Sequence, residues 1–279
     1  MCRYAIIAAL AVFVLVSSVC HAEESPDIRI HLTYGPGGPE RKTNAFAGER
    51  ILIRVELPES FSFNEKIDLL CEASFVSQTN KARLIRNPVP IPLQSFTIGN
   101  GPSFFIFNVT IPPDFEEGKY DLTLFVQDRN GTVLGEGKRT IDLYSSSNFG
   151  TRNLSFRKGI PGTGYWLPSS NVFTAGETSQ INLGVGGLSL NANEEIDAVI
   201  KLVLVDPEGV SVEMMEPMFL RSKPEVFQSA ELGIPWYTHE FHLAQPGNFV
   251  LKLEVEDLTS QEKDSLELPL YVVDPNQYQ

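Results

Sequence analysis

The sequence predicts an all-β protein made of two tandem antiparallel β-sandwich domains that follow a cleaved signal peptide. Three observations predict it: an apolar N-terminal segment, an internal repeat, and hydrophobic residues that alternate with polar ones within each repeat. The chain has 279 residues, and a hydrophobic fraction of 42% is too high for a disordered protein. Because a single core tends to split above roughly 250 residues, two domains are expected.

Residues 1–22 have the features of a secretory signal peptide. A positive charge precedes the uncharged apolar run Ala5–Val16, and the segment ends in the small residue Ala22. A run of about a dozen apolar residues is short for a hydrocarbon core roughly 30 Å thick, so we expect no transmembrane segment in the mature chain. The mature protein is therefore expected to be secreted, periplasmic or at the cell surface. Lipidation of Cys20 is the alternative, although Val19 fits poorly where a small residue is expected.

The mature chain keeps one cysteine and a strong negative charge. Two of the 3 Cys lie within residues 1–22, so only Cys71 remains and no intrachain disulfide is possible. Cys71 lies in an alternating apolar run, which favours a core position over a reactive thiol. Removing the signal peptide removes Arg3 and changes the formal charge from −13 to −14 (−13 − 1). A chain this acidic is not expected to bind a phosphate backbone, so we expect no nucleic-acid partner.

An internal repeat divides the mature chain. Three segments recur at offsets of 127, 129 and 129 residues: Asn44–Glu49 with Asn171–Glu177, Asn64–Asp68 with Asn193–Asp197, and Gly118–Leu122 with Gly247–Leu251. This period is far longer than the roughly 20–50 residues of solenoid repeats and is typical of duplicated domains. We expect a first domain at 27–144, a linker at 145–151, a second domain at 152–273 and a C-terminal tail at 274–279.

Within each copy the hydrophobic period is two. Apolar residues alternate with polar or solvent-facing ones along Ile51–Leu57, Tyr120–Gln127 and Phe249–Glu256. Such alternation is typical of a strand that buries one face. Turn sequences such as Asp128–Gly131 and Asp206–Gly209 separate the runs. No window shows a sustained helical stripe, so the pattern predicts two antiparallel sheets packed face to face in each copy.

The lead-in Ala47–Glu49 to strand Ile51–Leu57, together with Gly118–Asp128, resembles immunoglobulin-like or fibronectin-III-like domains of exported proteins. The resemblance spans nearly the whole mature chain at the superfamily level, and it implies sheet geometry rather than an activity. It also places Tyr120 like the tyrosine of a tyrosine corner, whose hydroxyl bonds back to the backbone. The second copy has Phe249 there, which cannot form that bond.

No motif in the sequence predicts catalysis, a cofactor or a metal site. A G-x-S-x-G sequence is absent. His239 and His242 lack the i, i+4 spacing of a helical zinc site, and on a strand they point to opposite faces. Acidic clusters such as Glu254–Asp257 do not match a calcium-binding loop and are expected at solvated edges. We therefore predict that the protein is not an enzyme; an enzyme would need two titratable side chains from different strands to meet in one deep pocket.

Aromatic pairs and a methionine cluster are the candidate binding residues: Tyr165, Trp166, Trp236, Tyr237, Met214, Met215 and Met218. Aromatic rings act as flat platforms in carbohydrate-binding sandwiches, and methionine adapts to irregular partner surfaces. Packing in a core or at a strand end is the alternative for each of them.

We predict a non-catalytic exported protein that acts by binding or by spacing, with an unidentified protein or glycan partner. The alternative is a glycan-binding accessory module that uses exposed Trp and Tyr. Functional residues are expected where the two copies differ, in the loops Gly35–Thr43 and Gly159–Ser170 near one end of each domain.

Overall fold

The computed structural model describes residues 28–36, 38–42, 44–57, 69–90, 104–213, 216–224 and 235–278. The predicted signal peptide lies outside these residues, as do Met214 and Met215. Within them the chain forms 18 β-strands and a short 3₁₀ helix at Pro275–Tyr278. The prediction of an all-β fold is confirmed.

Two antiparallel sheets pack together in the first half of the chain. The smaller sheet has the strand order β1-β3-β6, with β1 at Arg29–Thr33, β3 at Arg50–Glu56 and β6 at Phe104–Thr110. The larger sheet has the order β2-β8-β7-β4-β5, with β2 at Asn44–Phe46, β4 at Leu70–Ser77, β5 at Arg83–Pro90, β7 at Gly118–Gln127 and β8 at Val133–Tyr144. Strand β2 joins its edge by parallel pairing with β8.

The second half repeats this arrangement. One sheet has the order β10-β9-β12-β16, with β9 at Gly150–Gly159, β10 at Trp166–Ser169, β12 at Thr178–Gly186 and β16 at Trp236–His242. The other has the order β11-β18-β17-β13-β14, with β15 also paired to β13; these strands are β11 at Val172–Thr174, β13 at Ile196–Val205, β14 at Ser211–Glu213, β15 at Met218–Ser222, β17 at Gly247–Asp257 and β18 at Lys263–Val273. Strand β11 pairs in parallel with β18, as β2 does with β8.

Alternation along the strands builds two separate hydrophobic cores. Ile51, Ile53 and Val55 of β3 are fully buried, whereas the residues between them are partly exposed. Cys71 lies in the first core, as its place in an alternating run predicts. The second core contains residues from β9 onward and one side chain from the first half, Tyr34. The first half is thus anchored into the second by an aromatic ring.

The repeated A-G-E segment forms the same turn in both copies. Gly48 and Gly176 have φ values of 81° and 87°, a left-handed conformation that glycine adopts without steric cost. In the first copy the Glu49 carboxylate accepts a hydrogen bond from the backbone N–H of Phe46 (3.0 Å), and in the second copy Glu177 accepts one from Thr174 (2.9 Å). The sequence repeat therefore encodes a structural turn that leads into β3 and β12.

The tyrosine corner is present in the first copy. The Tyr120 hydroxyl donates a hydrogen bond to the backbone carbonyl of Glu116 at 3.0 Å, which confirms the prediction. The Tyr120 ring stacks on Phe75 with centroids 4.8 Å apart. Its counterpart Phe249 is buried in the second core.

Candidate functional site at the junction of the two sandwiches

Arg152 holds the connection between the two sandwiches. Strand β8 ends at Tyr144 and β9 begins at Gly150. The buried Arg152 guanidinium donates hydrogen bonds to the carbonyls of Ser146 (3.0 Å) and Asn148 (2.6 Å) in this connection. Burial lowers the pKa of Arg152, and the nearby Glu49 charge opposes that shift. The connection is therefore clamped by a side chain of the second half.

The same guanidinium contacts the first half. Arg152 lies 4.2 Å from the centroid of the Phe46 ring, within range of a cation–π interaction. Gly186, on the neighbouring strand β12, leaves the space that the guanidinium occupies, because a Cβ there would overlap it. A side chain at position 186 would therefore have to displace the Arg152 guanidinium.

A buried carboxylate links the two halves directly. Glu49 accepts two hydrogen bonds from Arg41, at 2.7 and 3.3 Å, and a third from the backbone N–H of Asn153 in β9 (3.2 Å). Only 3% of the Arg41 side chain and 0% of the Glu49 side chain are exposed. Burial alone would lower the pKa of Arg41, but the Glu49 charge and hydrogen bonds outweigh burial and raise it. Arg41 therefore stays charged, and the pair is a buried, charge-assisted contact beside the junction.

The second copy carries the same turn without this partner. Glu177 is half-buried and accepts the backbone bond from Thr174, and within the described residues it forms no ion pair. Arg41, the ion-pair partner of Glu49, comes from the first half itself, and the next sandwich adds the Asn153 N–H. Glu177 lies at the opposite end of β12 from Gly186 and the junction.

A cleft of about 260 Å³ opens beside the Arg41–Glu49 pair, between the two halves. Three arginines line it: Arg41 from the loop after β1, Arg50 from β3 and Arg157 from β9. The Arg41 guanidinium also lies 5.2 Å from the centroid of the Tyr34 ring, another residue of the lining. Arg41 falls within the predicted functional loop Gly35–Thr43, but neither the ion pair nor the convergence of the arginines was predicted.

The predicted aromatic candidates occupy two different ends of β12. Tyr165 is 72% exposed in the hairpin between β9 and β10, and the half-buried Trp166 next to it lies beside Gly159. Together they border a shallow cavity of about 620 Å³ with the Thr174–Thr178 turn. Trp236 is paired with Gly184 near the junction end. The structure thus brings Tyr165 and Trp166 together and leaves Trp236 apart from them.

The remaining candidates are packed or lie outside the described residues. Tyr237 is only 8% exposed in the second core, and burial raises its pKa to about 12. Met218 packs against the same core, and Met214 and Met215 lie outside the described residues. Tyr237 thus packs in the second core and Met218 against it. The binding role of Tyr165 and Trp166 stays a prediction.

No group of three or more His, Cys, Asp or Glu side chains that could hold a metal ion occurs in the part of the chain that the structure describes. His239 stacks on Tyr237 with ring centroids 6.5 Å apart, and burial lowers its pKa against the opposing charge of Glu240. The described residues also include no helix of the length and apolar character needed to cross a membrane.

The chain matches no protein-family model and no curated protein. Its structure is similar to a DUF4785 family protein from Legionella pneumophila, with a TM-score of 0.30 and 9% identity over 88% of this chain and 56% of that one. Fibronectin(III)-like modules of CbhA from Clostridium thermocellum give a TM-score of 0.22 and 11% identity over 89% and 96% of the two chains. A superoxide reductase (neelaredoxin) from Ignicoccus hospitalis gives 0.27 and 13% over 43% and 81%. All three TM-scores lie below 0.5, so no activity, ligand or partner is carried over.

Proposed function

We propose that this chain is an exported, non-catalytic protein whose two β-sandwiches act as a rigid spacer that presents its end loops for binding at the cell surface or in the periplasm. The observation that carries the proposal is the junction: the buried Glu49, held by Arg41, accepts a hydrogen bond from Asn153 across the boundary between the two halves, and the buried Arg152 contacts Phe46 across it. Two domains joined by an ordinary connection usually move relative to each other, whereas a buried and hydrogen-bonded junction restrains that motion.

Backbone relaxation by NMR tests this rigidity. If the junction restrains the two halves, ¹⁵N relaxation will give one rotational correlation time for amides of both sandwiches. Gly186→Ala is the matched perturbation, because its new methyl displaces the Arg152 guanidinium. Gly176→Asn, at the exposed far turn with φ 87°, serves as the control because asparagine tolerates this conformation and the turn lies away from the junction.

We expect two correlation times for Gly186→Ala and one for Gly176→Asn. Independent tumbling of the two halves in the unmodified protein would remove the basis for a rigid spacer. A single correlation time that survives Gly186→Ala would show that Arg152 is not what restrains the junction.

Glycan binding by Tyr165 and Trp166 is the second candidate function. The observation that favours it is the exposure of Tyr165 beside the Trp166 ring at the end of the second sandwich, bordering a shallow cavity. Stacking of such rings on sugar faces buries apolar area while leaving the hydroxyl groups wet.

A polysaccharide pull-down with Tyr165→Ala and Trp166→Ala tests this role, with Phe219→Ala as a matched exposed aromatic elsewhere. Loss of a bound polysaccharide in the first two variants and not in the third supports glycan binding. No captured polysaccharide, or equal capture by all variants, contradicts it.

A further inference from the structure

The cleft between the two halves concentrates positive charge in an acidic protein. The whole chain has 35 Asp and Glu against 22 Lys and Arg. Among the described residues, those that line the cleft nevertheless include three arginines and no acidic residue. Two of the arginines come from the first half and one from the second, so the charge is assembled only when the two sandwiches meet.

The donors in the cleft are not fully used by the protein. The Arg41 terminal nitrogens bond Glu49, but its Nε is buried and lacks a hydrogen-bond partner within the described residues. Arg50 and Arg157 are exposed and form no ion pair within the described part of the chain. Their charges are therefore available to a ligand.

The size and walls of the cleft limit what it can hold. Its volume of about 260 Å³ lies just below the range of about 300–1,000 Å³ that is usual for drug-sized ligands, so one small acidic group fits. Tyr34, Leu52 and Pro168 form apolar walls around the arginines. The planar guanidinium group matches a carboxylate, sulfate or phosphate oxyanion through paired, charge-assisted hydrogen bonds.

We propose that this cleft is a binding site for the oxyanion of a small acidic ligand, held by Arg50 and Arg157 beside the Arg41–Glu49 pair. Because the arginines come from both sandwiches, the bound anion bridges them and stabilises the junction. This site is separate from the Tyr165–Trp166 end, and it does not require the spacer role: oxyanion binding and rigid tumbling are measured independently.

Isothermal titration calorimetry at low and high salt tests the site with four probes: galacturonate for a carboxylate, inorganic phosphate, inorganic sulfate, and galactose as the neutral control. We expect at least one oxyanion to bind, and the one that binds identifies the class. Its affinity is expected to fall as salt rises, because charged groups in an open cleft are screened. Galactose is expected not to bind.

Charge-removing variants locate the binding. Arg50→Gln and Arg157→Gln change exposed side chains, so both variants are expected to fold. Each is expected to weaken binding about tenfold or more, the effect of losing one hydrogen bond to a charged group. Arg29→Gln, an exposed arginine on β1 outside the cleft, changes the net charge equally and is expected to leave the affinity unchanged. Equal affinities for all three variants, or no binding of any oxyanion, would overturn the proposal.

Discussion

Replacing Glu49 by Gln tests whether the buried carboxylate couples the two sandwiches. The substitution keeps the shape of the side chain but removes the negative charge that faces Arg41, and Arg41 is itself buried. Glu177→Gln is the matched control. It makes the same chemical change in the same turn of the second copy, where the side chain is half-buried and bonds a backbone N–H.

The expected magnitudes follow from these surroundings. Leaving one partner of a buried ion pair uncompensated costs about 3–5 kcal/mol. Because the amide oxygen of Gln still accepts one of the backbone bonds, we expect the lower end, about 3 kcal/mol, for Glu49→Gln. At Glu177 only a backbone hydrogen bond is weakened, which costs about 1 kcal/mol or less. With an m-value of about 2 kcal/mol/M, the urea midpoint falls by about 1.5 M for Glu49→Gln and by about 0.5 M for the control.

The two tryptophans make the coupling visible. Both Trp166 and Trp236 lie in the second half, so tryptophan fluorescence reports unfolding of the second sandwich alone, whereas circular dichroism reports both. If the junction couples the halves, a change at Glu49 in the first half lowers the fluorescence midpoint as well. If Glu49→Gln lowers the circular-dichroism midpoint but not the fluorescence midpoint, the two sandwiches are not coupled. If neither midpoint changes, the Arg41–Glu49 pair does not stabilise the protein.

Two further predictions concern single side chains. Burial alone would raise the pKa of Asp257, but backbone N–H bonds from Ser189 (2.7 Å) and Thr259 (2.9 Å), with those of Ser260, outweigh burial and lower it. An unfolded Asp titrates at about 3.9, so this carboxylate stabilises the fold above that pH, and the stabilisation is lost as pH falls through the lower, folded pKa. Asp257→Asn is therefore expected to lower the melting temperature at pH 7 and to converge with the unmodified protein in acid. Asp114→Asn, in an exposed turn, is the control, and a gap between Asp257→Asn and the unmodified protein that does not narrow in acid would contradict the prediction. Tyr120→Phe is expected to cost about 0.5–1.5 kcal/mol by urea unfolding because the bond to Glu116 is lost. An unchanged stability for Tyr120→Phe would show that the corner contributes nothing.

The strand pattern was predictable because it depends on local alternation. The spacing of Ile51, Ile53 and Val55 predicts the buried face of β3, and the structure places these residues in the first core. The tyrosine corner was predictable for a similar reason, since Tyr120 and Glu116 are four residues apart. Sequence reasoning succeeds where the partners are neighbours along the chain or along a regular strand.

The junction was not predictable because its partners are remote and the repeat conceals their difference. Asn153 follows Glu49 by 104 residues, and the A-G-E segment is the same in both copies, so sequence alone treats Glu49 and Glu177 as equivalent. Contacts outside the turn make them different: Glu49 is bonded by Arg41 of its own half and by Asn153 of the neighbouring sandwich. Tyr237 illustrates the opposite case: adjacent residues of a strand face opposite sides, so alternation along β16 already indicates that one member of the Trp236–Tyr237 pair is buried.

The duplicated turn has a consequence for protein engineering. Strand β12 begins just after a turn whose backbone matches the one that seats a neighbouring sandwich in the first copy. A further unit grafted after β18 would find an acidic acceptor, Glu177, already positioned for a backbone N–H of the added unit, as Glu49 accepts one from Asn153. The second copy would also need an arginine of its own beside Glu177, because Arg41 comes from the same copy as Glu49. The acceptor is thus built into both copies, and the arginine beside it is what an extended array would have to add.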